Sequence, residues 1–580
     1  MNEINPTRIP CLVWAALLFS AGSLLAQGTA TPENPMVEDK AGDALAKQLA
    51  VDKAACVAAM PDYTLESTMV PMRDGVKLCT EIFLPKNRGE TPLPVILQRS
   101  PYSRWDRNLP KHLARLAPGL AVGIVLQNER GRFGSEGAGT YAVDSFDNEI
   151  NDSYDTIEWV AKQPWCNGKV GMMGVSGGGL AGANAIWSCA PHLVAVSLSI
   201  TSDNAYDWAF SNGARRYMYG WLSNRNLPNA RAPWPRPVTM PFDPAARKAF
   251  IAKRAAECKA AYINNSGWYD IFSESLLDSF AVLAPNNNAV VTIDSGGHGG
   301  IGGDLVYPNP RRPVTKSLTF KDYLMGAPAK QPLESALVYF LMGDPRDPSA
   351  PGNIWKVADR WPVPNTPTSL YLQKDGGLSA VPSTEKDAVL TYDYDPRNPA
   401  PSFGGNWEYG TKNGPHDQRP LKDRKDILRF VGEPLAEPVG VTGKIRVELH
   451  VSSDVPDTSF VATLVDIYPD GYEALVRQGA MLARYSEGLD KPAPIEKGKT
   501  YKLDMDLWST ALVFNKGHRI ALFVTSSSTP AFEVHPNTYD PVDSIDKAVV
   551  AHQAICLSGE HASRLILPVI PPESYLPAAK

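Results

Sequence analysis

The chain has 580 residues, 57 Lys and Arg against 62 Asp and Glu, and a formal net charge of −5 at pH 7. No long basic run interrupts it, so neither a nucleic acid nor an anionic membrane surface is a sensible partner. At this length the chain should hold two to four domains with ample apolar core.

Taken from the N-terminus, Arg8 precedes an apolar run from Cys11 to Leu25, and Ala26 or Ala30 offers a cleavage site. This reads as a secretory signal peptide over residues 1–26, placing the mature protein outside the cell or in a periplasm. The run is short for a membrane span, and a retained N-terminal anchor is the alternative. Losing Cys11 leaves six of the seven cysteines, an even number in an oxidising compartment. A charged, Ala-rich helical leader follows over residues 36–60.

Strands and helices then alternate. Strand-like runs occur at Pro94 to Gln98, Leu120 to Gln127, Val170 to Val175 and Val194 to Ser199. Ile150, Tyr154, Ile157 and Val160 mark one face of a helix that Pro164 ends. Alternation of this kind predicts a mostly parallel sheet covered by helices, an α/β fold over residues 61–200 and 261–360.

The most informative stretch is Gly174-Val175-Ser176-Gly177-Gly178. It follows a strand-like run, Lys169 to Met173, and precedes a helix-like run, Leu180 to Cys189. Strand, sharp turn with a serine at its tip, then helix is the nucleophile elbow of α/β-hydrolases. Partners follow in the order that fold uses, acid and then histidine. A strand-like run from Ala261 ends on Asp270. The β-branched run Ala289 to Ile293 breaks into Asp294-Ser295-Gly296-Gly297-His298-Gly299-Gly300. Of nine histidines, His298 is the one in a glycine-rich loop after a buried-looking strand, whereas His450 and His518 lie in alternating strands and read as structural. Ser176, His298 and Asp270 thus make a candidate nucleophile, base and orienting acid, with the Gly177 N–H as one oxyanion donor. Cys166 and Cys189, before and after the elbow, come back to the same end of the sheet. They are either a disulfide or two buried thiols.

Residues 201–260 break the alternation with Trp-, Tyr-, Arg- and Pro-rich sequence, including Asp207, Trp208, Arg215, Arg216, Tyr217, Tyr219 and Trp221. Inserted between candidate nucleophile and acid, they predict a helical cap. From residue 361 to 580 the period changes to two, as in Ile445, Val447, Leu449 and Val451 or Ile520, Leu522 and Val524. Turns such as Pro469-Asp470-Gly471 separate these runs, predicting an antiparallel β-sandwich.

Several ordered motifs carry a resemblance: Met72-Arg73-Asp74-Gly75-Val76-Lys77-Leu78, Arg99-Ser100-Pro101-Tyr102, Arg130-Gly131-Arg132-Phe133-Gly134-Ser135-Glu136-Gly137, Asp155-Thr156-Ile157-Glu158-Trp159, Gln163-Pro164-Trp165 and Gly267-Trp268-Tyr269-Asp270. In these the chain resembles the cocaine esterase and α-amino-acid ester hydrolase family, relatives of the Xaa-Pro dipeptidyl-peptidases and glutaryl acylases. The resemblance implies an α/β-hydrolase fold with an inserted cap and a C-terminal jelly-roll. It implies Ser176 as nucleophile, Asp270 as acid, His298 as base and the Tyr102 hydroxyl as second oxyanion donor. Many relatives carry a tyrosine directly after the nucleophile, where this chain has Gly177, so a wider acyl pocket is expected. Amino-acid ester hydrolases grip the substrate's α-ammonium with carboxylates. Two of those positions hold Phe272 and Ser273 here, and Asp207 matches the third. Asp207, Trp208 and Phe272 are therefore the candidate substrate contacts.

The function expected is a serine hydrolase of small or aromatic acyl esters. The alternatives are an amide or peptide hydrolase, such as an acylase or Xaa-Pro dipeptidyl-peptidase, and a binding protein on an inactive hydrolase scaffold. Neither a metal-ligand cluster nor a phosphate loop is visible in the sequence, so no cofactor is expected.

Overall fold

Ten strands form one sheet in the computed structural model, which describes residues 35–105, 120–137, 146–216, 244–286, 288–300, 302–327, 334–406, 412–540 and 544–576. They are β1 (Tyr63–Pro71), β2 (Lys77–Pro85), β3 (Leu93–Ser100), β4 (Gly123–Asn128), β5 (Cys166–Val175), β6 (Leu193–Ser199), β7 (Ala261–Tyr269), β8 (Ala289–Gly297), β9 (Ala336–Leu341) and β10 (Ile354–Ala358). Their spatial order is β1-β2-β4-β3-β5-β6-β7-β8-β9-β10. The run from β4 to β9 is parallel, and the pairs at both edges are antiparallel. Parallel strands covered on both faces read as continuous apolar runs rather than alternations, and β3 and β9 are buried along their whole length.

The helices are α1 (Pro35–Ala58), α2 (Phe146–Ala161), α3 (Leu180–Ala185), α4 (Ala205–Ala209), α5 (Pro244–Ala255), α6 (Ser273–Leu283) and α7 (Phe320–Met325). On α2 the 3.6-residue stripe Ile150, Ile157 and Val160 is buried against the sheet, with Tyr154 packed beside it. Its polar side is tied down from below. Arg99, at the end of β3, is fully buried and donates to the Glu149 carboxylate at 3.0 Å and to Ser153 Oγ at 2.8 Å. Arg130 bridges Asp152 and Asp74, each at 2.6 Å. Two of the arginine-bearing motifs thus fasten α2 over the carboxyl ends of β3 and β4. Among the described residues no helix is long and apolar enough to cross a membrane.

The predicted signal segment, residues 1–26, and the middle of the predicted cap, residues 217–243 with Tyr217, Tyr219 and Trp221, lie outside the described residues. The cysteine pairing expected from sequence needs correction. Cys189 lies not against Cys166 but with its Sγ 3.0 Å from that of Cys258. The reason is local. Helix α3 tightens into a 3₁₀ turn over Ile186–Ser188, Cys189 takes a left-handed conformation at φ 51°, and the chain before β7 delivers Cys258 to that corner.

The C-terminal half is a β-sandwich of a seven-stranded and a four-stranded sheet. Strand Val439–Ser453 is its hub, pairing with Tyr501–Phe514, Ala551–Cys556 and Arg564–Val569. The sandwich joins the first sheet through backbone: Met342 N–H donates to Ala511 O at 3.0 Å and Val513 N–H to Met342 O at 2.9 Å. Beside this seam His518, 2 % exposed, donates from Nδ1 to Asp466 of the sandwich at 2.9 Å and faces Asp344, just past β9, at 3.6 Å.

Burial opposes charge on His518, but its bonds to Asp344 and Asp466 outweigh it and raise the imidazole from 6.5 to about 9. A raised histidine stabilises the fold fully below its unfolded value and loses that effect as pH climbs past the folded one. The contribution is on the order of 1–3 kcal/mol. Thermal midpoints measured from pH 6 to 10 should therefore fall between pH 6.5 and about 9 and flatten above that. In His518→Gln the midpoint should start lower and lose that slope.

Candidate active site

The elbow is built from a backbone crossing. Strand β5 ends at Val175 in extended conformation, and Ser176 follows at φ 52°. A left-handed serine costs on the order of 1 kcal/mol and persists only where its surroundings demand it. Here they do. A Cβ on Gly174 would fall 2.4 Å from Gly179 Cα and 2.5 Å from Gly178 O, so the strand and the turn after the serine meet with no room for a side chain. Thr201 Oγ1, at the end of β6, donates to Ser176 O at 2.8 Å and fixes the tip. Gly177 is buried in the turn. The Tyr102 ring stands beside it, its Cδ2 3.9 Å from where a Cβ on Gly178 would lie. The Tyr102 carbonyl accepts from Asn128 Nδ2 at 2.6 Å, which anchors the Pro101-Tyr102 turn to β4.

Asp270 follows β7 and is fully buried. Its Oδ1 accepts the Phe272 N–H at 2.8 Å. Strand β7 can approach the histidine loop because residue 267 is glycine: a Cβ there would lie 2.1 Å from Gly296 O. The approach brings His298 Nδ1 to 3.3 Å from both Asp270 oxygens, and His298 Nε2 to 2.8 Å from Ser176 Oγ. Three side chains from the ends of β5, β7 and β8 thus meet at the carboxyl edge of the sheet, where open α/β sheets place their sites. A hydroxyl touching an imidazole whose far nitrogen faces a buried carboxylate has the geometry for nucleophilic acyl transfer.

The imidazole is walled by aromatics. Phe272 meets it edge-on with centroids 5.3 Å apart, and Trp208 on α4 meets Phe272 edge-on at 6.0 Å. Trp208 is buried, and its Nε1–H has no partner among the described residues. Its neighbour Asp207 turns away from this wall into a charged cluster. Burial and then the Asp278 charge push the Asp207 carboxyl up to about 7, against the pull of Arg247 and Lys444. Lys444, from the sandwich, bonds Glu274 and Asp506 at 2.8 Å each, and Arg247 on α5 bonds Asp203 at 2.6 Å. Arg215 and Arg216 are not free cap charges. Arg215 pairs with Glu533 at 3.2 Å, and Arg216 is buried with its guanidinium 4.1 Å from the Trp508 ring.

Two participants escape sequence reasoning. Asn413 Nδ2, 115 residues beyond His298, donates to the His298 carbonyl at 3.2 Å, so the sandwich half braces the histidine loop. Asp294, near the end of β8, accepts the Gly296 N–H on Oδ1 at 2.8 Å. Its position in the Asp294–Gly300 run is the signal that could have marked it. Among the described residues no group of His, Cys, Asp and Glu is arranged to hold a metal ion.

Similarity to known proteins coincides with this geometry. The X-Pro dipeptidyl-peptidase (S15 family) pattern matches residues 74–237, and that of the X-Pro dipeptidyl-peptidase C-terminal non-catalytic domain matches residues 333–566. The cocaine esterase of Rhodococcus sp. (strain MB1 Bresler) is 30% identical, over 88% of this chain and 99% of its own length. The chain belongs to the cocaine esterase family. It is therefore a hydrolase with an α/β-hydrolase domain and a C-terminal β-rich domain. Solved structures of similar architecture superpose on it. An α-amino-acid ester hydrolase matches at a TM-score of 0.67 and 25% identity, and an aminopeptidase from a marine sediment Thaumarchaeota archaeon at 0.70 and 23%. Each match covers 88% of this chain and 97% of the other. The likeness to the aminopeptidase speaks to fold alone.

Burial pushes the Asp294 carboxyl up to about 6, with the Gly296 N–H pulling it down and the Asp270 charge pushing it up. Above that pH a second negative charge stands beside Asp270. The kcat/KM profile should therefore carry an inflection at about pH 6 that Asp294→Asn removes while leaving the plateau within a few-fold. An unchanged profile would mean that Asp294 acts on the loop only through its hydrogen bond.

Proposed function

We propose that this protein hydrolyses carboxylic esters of small or aromatic acyl groups through an acyl-Ser176 intermediate. The observation that carries the reading is the contact of Ser176 Oγ with His298 Nε2 at 2.8 Å while His298 Nδ1 faces Asp270. His298 takes the Ser176 proton as the oxygen attacks the carbonyl, then returns it to the leaving alkoxide. Asp270 holds the tautomer and stabilises the imidazolium. The Gly177 N–H and the Tyr102 hydroxyl receive the oxyanion. Water, deprotonated by His298, then releases the acid and restores Ser176.

The acyl group is selected by what surrounds Ser176. Phe272 and Trp208 offer an apolar, aromatic wall, and Gly177 adds no side chain of its own. The charged cluster beyond Trp208 already contains its own cations, Lys444 and Arg247, and Asp207, pushed up to about 7, is only partly ionised at pH 7. An incoming α-ammonium thus meets little uncompensated negative charge, which favours plain esters. The rival reading, an α-amino ester or amide substrate, has one observation behind it: Asp207 Oδ2 is buried without a hydrogen-bond partner among the described residues. Secretion is a further part of the proposal. It rests on Arg8 and the apolar run to Leu25, and N-terminal sequencing of protein recovered from the periplasm or medium tests it.

The deciding comparison is kcat/KM for aryl esters matched except for an α-amino group, with Ser176→Ala as control. The plain ester should be preferred, and the variant should lose at least about 10³-fold. Preference for the amino ester would move the reading to an aminoacyl hydrolase. Tyr102→Phe should lower kcat by ~10²–10³ with little change in KM, as removal of one oxyanion donor does. A loss under about fivefold would remove Tyr102 from the oxyanion site.

A further inference from the structure

We infer that Cys189 and Cys258 are joined by a disulfide that closes the inserted cap segment at its base. The two Sγ atoms stand 3.0 Å apart, closer than unbonded sulfurs ordinarily settle. The backbone on both sides is already fixed. Cys189 occupies the left-handed corner after α3. Cys258 N–H donates to Arg254 O at 3.2 Å in the turn after α5. Arg254 then ties the two segments together, its Nε donating to Trp187 O and its Nη2 to Ser188 O, both at 2.9 Å. The remaining gap to the bonding distance is about 1 Å.

The pair is also suited to the chemistry. Cys189 is partly exposed, whereas Cys258 is 4% exposed and lies behind it. The Cys258 hydrogen bond, and less strongly Arg254, holds the Cys189 thiol below its ordinary value, so Cys189 is the attacking sulfur. A disulfide oxidant such as oxidised glutathione balances the step. The Cys189 thiolate attacks it and expels one glutathione thiolate. Cys258 then attacks the mixed disulfide, losing its proton and expelling the second. Two protein thiols and one glutathione disulfide become one protein disulfide and two glutathiones.

The bridge spans 69 positions and encloses residues 190–257, with Asp207 and Trp208 among them. It joins the end of the nucleophile's helix to the strand that carries Asp270. Its role is independent of which ester is cleaved.

The test is peptide mapping of the full-length wild-type chain, equilibrated with oxidised glutathione and alkylated without reduction. The expected result is a linked Cys189–Cys258 peptide and an intact mass lower by two hydrogens. Thermal melting should then drop by several degrees on adding a reductant, and this drop should vanish in Cys258→Ser and in Cys189→Ala. Alkylation of both thiols after oxidation, or linkage of either to a different cysteine, would overturn the inference. The mapping uses wild-type protein, so a poorly folding variant does not affect its outcome.

Discussion

The close crossing of Gly174 and Gly179 governs where the rest of the site must stand. Because the strand and the turn touch through bare backbone, Ser176 is driven into a left-handed conformation and its hydroxyl is lifted beyond the sheet edge. Every partner is then placed relative to that point. Strand β6 supplies Thr201 to hold the serine carbonyl, β3 supplies the turn with Tyr102, and β7 and β8 deliver the acid and the imidazole. The parallel sheet matters because it puts all these carboxyl ends on one side. Loops grow from a single rim, and small adjustments among them need not disturb the packed strands beneath.

The sandwich is more than an appended domain. It reaches the site through Asn413, which holds the carbonyl of the histidine itself, and through Lys444 and Ser509, which engage Glu274 at the start of α6. Glu274 is only four positions past Asp270, so the interface charge network and Asp270 share one helix start. Burying charges is costly unless they find partners, and Lys444 of the sandwich pairs with Glu274 across the junction as well as with Asp506 of its own half. That arrangement makes the relative placement of the two halves a matter of electrostatic matching as well as of apolar contact.

The parts legible in the sequence are those that backbone rules dictate. The elbow, the order of acid and histidine, the helical face on α2 and the switch to alternating strands all follow from local pattern. Arg99 and Arg130 stand out as motif residues, yet only the fold reveals that they brace α2. The illegible parts are those that depend on where distant segments return. The neighbour of Cys189 is decided by the path of the chain before β7. Asn413 comes from an irregular stretch of the C-terminal half, and Lys444 from one of many alternating strands, so neither carries a local mark. Asp207 reads locally as a charge for a substrate, but its real surroundings include Asp278, Glu274 and Lys444 from other segments and Arg247 from the far end of its own.

The brace from Asn413 to the histidine carbonyl also sets an order of events in synthesis. Chains emerge from the ribosome N-terminus first. Ser176, Asp270 and His298 are therefore all translated before the residue that steadies their loop, and well before strand Arg564–Val569 completes the sandwich around its hub. A nascent chain carries the reactive groups without the frame that holds them in register. The His298 loop thus gains its brace late in synthesis, and the contact of Ser176, His298 and Asp270 is framed only once the C-terminal half is made.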